Sequence, residues 1–221
     1  MKTLIRKIFP KKNKVENVIT KQTSAFDLLS FPAQISAIPG MLDDESGKCL
    51  FLLASGQSLQ GDIVEIGSWQ GKSTSYLAKS VEITGNGKVY AIDHFKGNVG
   101  KESFYKVGKD DLSDLKTLFE QNMKNHNFDN YVKLLDMKSH EALEVLKQEN
   151  VKDRMLFVDG DHSYDGVKND FFNFYDLVLE GGLIVFHDYN CTGVKTFTEE
   201  LIEQKIISKY YSYGICFIVK K

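Results

Sequence analysis

Among 221 residues there are three cysteines, three prolines and one tryptophan, and the formal net charge is only −2. The cysteines, Cys49, Cys191 and Cys216, lie far apart with no CxxC pair, so the sequence suggests neither a disulfide framework nor a zinc knuckle and points to a reducing, cytoplasmic setting. No run approaches the roughly 18 apolar residues of a membrane span, and the charged first ten residues lack the apolar stretch of a signal peptide. There is no internal repeat, no low-complexity segment and no overall basic field of the kind that draws a protein onto nucleic acid. What remains is ordinary globular composition, 42% hydrophobic and 26% charged, in a length suited to one domain. The near-zero charge hides an asymmetry. Lys2, Arg6, Lys7, Lys11, Lys12 and Lys14 precede any acid, so the rest of the chain is acidic.

We divide the chain into a basic tail over 1–20 and a single domain over 21–221. Leu4, Ile5, Ile8 and Phe9 share the tail with its bases, a pattern that suits either a solvated end or peripheral contact with an anionic membrane. Asp43 or Asp44 can cap a helix containing Cys49 to Ala54. From Asp62 onward, compact apolar runs alternate with longer helical patterns. Ile63–Ile66, Val89–Ile92, Val132–Leu135, Met155–Val158 and Leu183–Phe186 read as buried parallel strands. Val167, Phe171, Phe174, Tyr175 and Val178 recur at helical spacing, with Ser163 to start that helix and Gly181-Gly182 to end it. The long stretch from His94 to Asn130 reads as a crossover helix over Leu112–Met123 plus a loop, with Phe95, Phe104, Tyr105 and Phe119, that could cover a substrate. Ile206–Tyr211 and Ile215–Val219 flank Ser212-Tyr213-Gly214 as a terminal hairpin. The expected fold is α/β: an open, doubly wound, mostly parallel sheet with an antiparallel hairpin at its end, binding ligands outside the carboxyl ends of its strands.

The first strand runs into Val64-Glu65-Ile66-Gly67-Ser68-Trp69-Gln70-Gly71-Lys72-Ser73, where two glycines let the backbone approach a ligand. A phosphate-binding P-loop needs four residues between its first glycine and Gly-Lys-Ser, and here there are three. A dinucleotide fingerprint needs a second glycine where Trp69 stands. A plain strand-to-helix turn with a solvated Glu65 is a further reading, but none of these uses that carboxylate. Asp93 ends the second strand, where a carboxylate can accept ribose hydroxyls. Asp159 follows the fourth strand and Asp188 the fifth, and adjacent parallel strands lie about 4.8 Å apart. Carboxylates gathered this closely need a counter-charge, and a divalent metal supplies one.

The loop resembles the first motif of class I S-adenosylmethionine-dependent methyltransferases, hydrophobic-Glu-hydrophobic-Gly-x-x-x-Gly, whose sheet is seven-stranded and Rossmann-like. With the strand-end residues the resemblance narrows to the metal-dependent O-methyltransferase branch of the macrocin and sugar type, over about Ser24 to Val219. It implies that Glu65, Gly67, Ser68, Trp69, Gly71 and Ser73 serve the methionine end of S-adenosylmethionine, that Asp93 serves its ribose, and that Ser139 and His140 meet the adenine edge. It implies Asp159 as a catalytic metal ligand beside the donor, His187 and Asp188 as the adjacent ligand pair, and His162 as general base. One departure stands out: the first residue of that pair is more usually an acid or amide, and an imidazole suits Mn²⁺ or another transition metal better than Mg²⁺. His187 could instead orient Asp188 from behind.

The implied reaction is metal-assisted methyl transfer from S-adenosylmethionine to a hydroxyl of a small-molecule or sugar acceptor. The alternatives are a diverged, non-catalytic S-adenosylmethionine-binding module and a P-loop-like nucleotide-binding protein. Methylation of a base or protein nitrogen would call for Asn/Asp-Pro-Pro-aromatic after strand four, where this chain has Asp159-Gly160-Asp161-His162, and no nucleic-acid partner is expected. A homo-oligomer is compatible with the sequence.

Overall fold

Each of the five apolar runs becomes a strand of one sheet, in a computed structural model that describes residues 33–97, 114–203, 210–212 and 215–220. The strands are β1 (Asp62–Ile66), β2 (Val89–Asp93), β3 (Val132–Asp136), β4 (Asp153–Val158), β5 (Val178–Phe186), β6 (Tyr210–Ser212) and β7 (Ile215–Val219). Their order is β3-β2-β1-β4-β5-β7-β6, seven strands in one sheet. β1 to β5 pair in parallel, while β7 runs antiparallel to both β5 and β6. The order reverses beside β1, which makes the carboxyl ends of β1, β2 and β4 a topological switch point.

Helices cover both faces, so the central strands are apolar on both sides. On one face lie α1 (Asp44–Ser55), α2 (Lys72–Thr84) and α3 (Leu115–Asn125), packed over Ile63, Ala91, Met155 and Val185. On the other lie α4 (Ser139–Gln148), α5 (Tyr164–Phe174) and α6 (Thr192–Glu203), over Val64, Ile92, Leu156 and Ile184. Asp43 caps α1 by accepting from the Ser46 N–H at 2.9 Å and the Ser46 hydroxyl at 2.6 Å. α1 lies so close to α2 that a Cβ on Gly47 would stand 2.2 Å from the Tyr76 ring. No described helix is long and apolar enough to cross a membrane.

Three expectations need correction. Gly181-Gly182 does not end α5, which stops at Phe174 and passes through a single 3₁₀ turn, Tyr175–Leu177, into β5. Val178 is therefore a strand residue; it pairs with Asp153, the register then slips, and Leu183 pairs with Met155. The glycines occupy that irregularity, Gly181 at φ 78°. Second, the crossover helix runs over Leu115–Asn125, and Phe95 and Phe119 are buried core residues with ring centroids 5.9 Å apart rather than parts of a cover. Phe104 and Tyr105 lie outside the described residues, as does the whole of the basic tail. Third, the first hairpin strand includes Ser212, paired with Ile215, while 206–209 and 213–214 lie outside the description.

Candidate active site

The carboxyl ends of β1 to β5 open into a cleft of about 620 Å³. Ladder bonding continues past the strands and fixes where each loop leaves: Gly67 N–H donates to Ile92 O, Asp159 N–H to Ile66 O and His187 N–H to Val158 O. At the crossing of the first and fourth loops a Cβ on residue 67 would lie 2.1 Å from Asp159 O, and φ there is 89°, so only glycine fits. Gly71, also left-handed, opens α2 with its Cα packed under Met123 and Phe119; it stands outside the cleft wall, whereas Ser73 lines it.

Asp93 gathers the glycine loop. Its Oδ2 accepts from the N–H groups of Ser68 at 3.0 Å and Trp69 at 2.8 Å, and its Oδ1 accepts from Phe95 N–H at 2.7 Å. A carboxylate has about four lone-pair positions, so one stays available to a ligand hydroxyl. Glu65 is placed differently from expectation. It is fully buried behind the loop and does not reach the cleft wall; the Thr74 hydroxyl donates to its Oε2 at 2.5 Å. Burial, offset only in part by the hydroxyls of Ser73 and Thr74, pushes its pKa up to about 8.

Another part of the wall is built by α4 and α5. Ser139 and His140 line it, and the Ser139 hydroxyl donates to Asp170 Oδ1 at 2.7 Å. Sequence reasoning passed over Asp170, although an acid one residue before Phe171, on the apolar stripe of α5, is the signal that could have found it. Burial raises its pKa to about 6, against the lowering effect of Ser139.

At the ends of β4 and β5, Asp159, His162, His187 and Asp188 converge. His162 Nε2 lies 3.0 Å from Asp188 Oδ2 and 3.7 Å from Asp159 Oδ1. His187 Nδ1 lies 3.1 and 3.0 Å from the same two oxygens. Asp188 reaches this position with φ 50°, a left-handed conformation uncommon for an aspartate. Burial disfavours charge on either imidazole, yet the carboxylates outweigh it, raising His162 and holding His187 at about 11. Burial would likewise raise Asp159, but the two histidines keep it below the ordinary carboxylate range.

Asp159, His162 and Asp188 each offer one ligand atom, all within 4.8 Å of one another. Two carboxylate oxygens and an imidazole nitrogen are a donor set that fits a divalent metal. Residues fit a sulfonium donor as well: Ser68 Oγ is buried at the cleft without a hydrogen-bond partner, beside the close approach at Gly67.

Residues 64–189 match the family model described as methyltransferase domain. The chain belongs to that family. The expectation drawn from the glycine loop is thereby borne out at the level of methyl transfer. Several solved structures share the fold of this methyltransferase. An O-methyltransferase from Bacillus cereus in complex with S-adenosylhomocysteine aligns with a TM-score of 0.63 and 18% identity, over 92% of this chain and 93% of that one. TomG from Streptomyces achromogenes, an O-methyltransferase in complex with S-adenosylmethionine, aligns at 0.63 and 16% identity, over 92% and 93%. The S-adenosylhomocysteine-bound methyltransferase PaMTH1 of Podospora anserina gives 0.63 and 15%, over 90% and 89%. An uncharacterized protein of Acanthamoeba polyphaga mimivirus is 57% identical over 35 residues, which span 16% of this chain and 16% of that protein.

Proposed function

We propose that this methyltransferase transfers a methyl group from S-adenosylmethionine to a hydroxyl oxygen of a small-molecule or sugar acceptor, with a divalent metal at Asp159 and Asp188. The observation that carries the reading is the convergence of His162 on those two carboxylates at the end of the cleft beside the glycine loop. Gly67, Ser68, Trp69 and Ser73 form the wall that receives the donor's methionine end, and the free lone pair of Asp93 accepts from a ribose hydroxyl. The donor supplies an electrophilic methyl on a sulfonium and leaves as a neutral thioether, S-adenosylhomocysteine. When bound, the metal lowers the pKa of a hydroxyl that reaches it.

His162 Nε2, lining the cleft beside Asp188, is the group that takes the acceptor's proton, and its residence between two carboxylates stabilises the imidazolium that results. His187, almost fully buried, fixes both carboxylates through Nδ1 and keeps their oxygens turned toward His162. Asp188, at the least buried end of the pair, orients His162.

A second reading has its own support: the same His162 nitrogen belongs to the three-residue ligand cluster, where it would hold the metal instead of a proton. The test is a thermal-shift panel of S-adenosylmethionine, S-adenosylhomocysteine and ATP, each with Mg²⁺, Mn²⁺, Zn²⁺ or EDTA, followed by methyl transfer with His162→Ala. Stabilisation by the two adenosyl compounds and not by ATP supports the donor. Loss of transfer with retained Mn²⁺ binding in His162→Ala supports the base; loss of both supports the ligand. Activity that EDTA leaves unchanged removes the metal.

A further inference from the structure

The cleft wall contributed by α5 contains a buried acid for which the reaction has no use. Asp170 is 6% exposed, sits in the middle of α5, and still lines the cleft. One hydroxyl, from Ser139, donates to its Oδ1. Its Oδ2 faces the turn after β4: a Cβ built on Gly160 would stand 3.4 Å from that oxygen, in ordinary van der Waals contact. Around it the wall is Ser139, His140, Asp161, Asn169 and Asn173, with Lys138 beside Ser139, a set that offers several side-chain acceptors to an amine.

The topology says which part of a ligand arrives there. β3 pairs with β2 in register, Asp93 beside Asp136, and α4 begins at Ser139, three residues after β3 ends. A ligand held at its aminoacyl end by the loop after β1 and at its ribose by Asp93 therefore projects its base toward β3 and Ser139, whose hydroxyl holds Asp170. We propose that Asp170 is a specificity-determining residue that accepts a hydrogen bond from the exocyclic amine of the donor's adenine, with Ser139 fixing the carboxylate in place. This rests on the S-adenosylmethionine reading above. A buried acceptor aimed at an amine rejects an analogue that presents a carbonyl there, because two acceptors would face each other with no proton between them.

The test compares S-adenosylhomocysteine with its inosyl counterpart, in which the 6-amino group is replaced by a 6-oxo group, by calorimetric titration of the full chain. The wild type is expected to prefer the adenosyl compound by roughly 10- to 100-fold, the range of a charge-assisted hydrogen bond. Asp170→Asn keeps the side-chain size and adds a donor, so its amide can turn to give a hydrogen bond to the 6-oxo group; its preference should collapse or reverse through tighter binding of the inosyl compound. A purely structural role would weaken both compounds alike. Equal affinities in the wild type overturn the proposal whether or not the variant folds, as does an unaltered preference in a folded Asp170→Asn. Failure of the wild type to bind S-adenosylhomocysteine at all overturns the donor reading instead.

Discussion

His187 Nδ1 stands 3.0 Å from Asp159 Oδ1, a contact that joins the ends of β4 and β5 inside the protein rather than at its surface. Side-chain exposure is 8% for the histidine and 17% for the aspartate, so the pair exchanges little with water. Removing one partner leaves a buried, uncompensated charge, which costs more than the pair gains over an apolar replacement. His187→Leu should therefore destabilise the metal-free protein by about 3 kcal/mol in urea denaturation. Asp159→Asn added to His187→Leu should recover part of that loss, since it removes one of the two carboxylates left facing each other. Additive losses in the double variant would show that the two side chains are not coupled.

Glu65 gives a pH dependence with a definite sign. Its folded-state pKa, about 8, lies above the ordinary 4.5, so the folded chain holds a proton that the unfolded chain releases. Stability contributed by this group must then fall as pH rises from about 4.5 through about 8. Glu65→Gln keeps an acceptor for the Thr74 hydroxyl and does not titrate. The variant should show a flatter stability profile across this window and gain on the wild type by a few kcal/mol above pH 8, at about 1.4 kcal/mol per pH unit of displaced titration. Parallel profiles in chemical denaturation at pH 5, 7 and 9 would mean that the carboxylate is ionised when folded.

The strands of this fold were legible because a doubly covered parallel sheet demands unbroken apolar runs, and Met155–Val158 and Leu183–Phe186 have no other use for their composition. The acids at strand ends were legible for the same reason, as polar residues interrupting apolar runs at the edge where α/β sheets bind ligands. Glu65 shows the limit: its position in the motif was plain, but a single line of sequence cannot show that Thr74, one turn into α2, folds back over it and closes it from the cleft. Gly181-Gly182 misled because a bulge and a helix end both call for left-handed backbone, and only the pairing of Val178 with Asp153 separates them. Arg154 was overlooked entirely. It is fully buried, giving hydrogen bonds to the carbonyls of Ala54, Gly61 and Asn86, and those partners are too far away in sequence for any local pattern to reveal.

Gly67→Ala tests the crossing of the first and fourth loops. The added methyl group would lie 2.1 Å from Asp159 O, backbone rather than a side chain that can swing away, and the residue would keep a φ of 89°. Strain of about 1–3 kcal/mol at the dihedral adds to the steric clash. We expect a loss of at least that size in thermal or urea unfolding, together with loss of detectable S-adenosylhomocysteine binding, because relief of the clash moves Ser68 away from Asp93. Gly85→Ala is the control: its φ is 65° but its Cβ meets nothing within 4 Å, so it should cost about 1 kcal/mol and leave binding intact.

Asp93 carries two duties that one substitution can separate. Three backbone N–H groups already point at its carboxylate, two on Oδ2 and one on Oδ1. In Asp93→Asn one oxygen becomes an NH₂ group, which must face either the Ser68 and Trp69 amides or the Phe95 amide. Each orientation sets donor against donor, and the orientation that spares the loop places the NH₂ beside Phe95, where it can give but not accept. Expected is a stability loss of about 1–3 kcal/mol, from one to two unsatisfied buried N–H groups. Affinity for S-adenosylhomocysteine should fall more than affinity for homocysteine analogues that lack the ribose, since only the former needs the remaining lone pair. If the two ligands weaken equally, Asp93 acts through loop geometry alone, and the ribose is held elsewhere in the cleft.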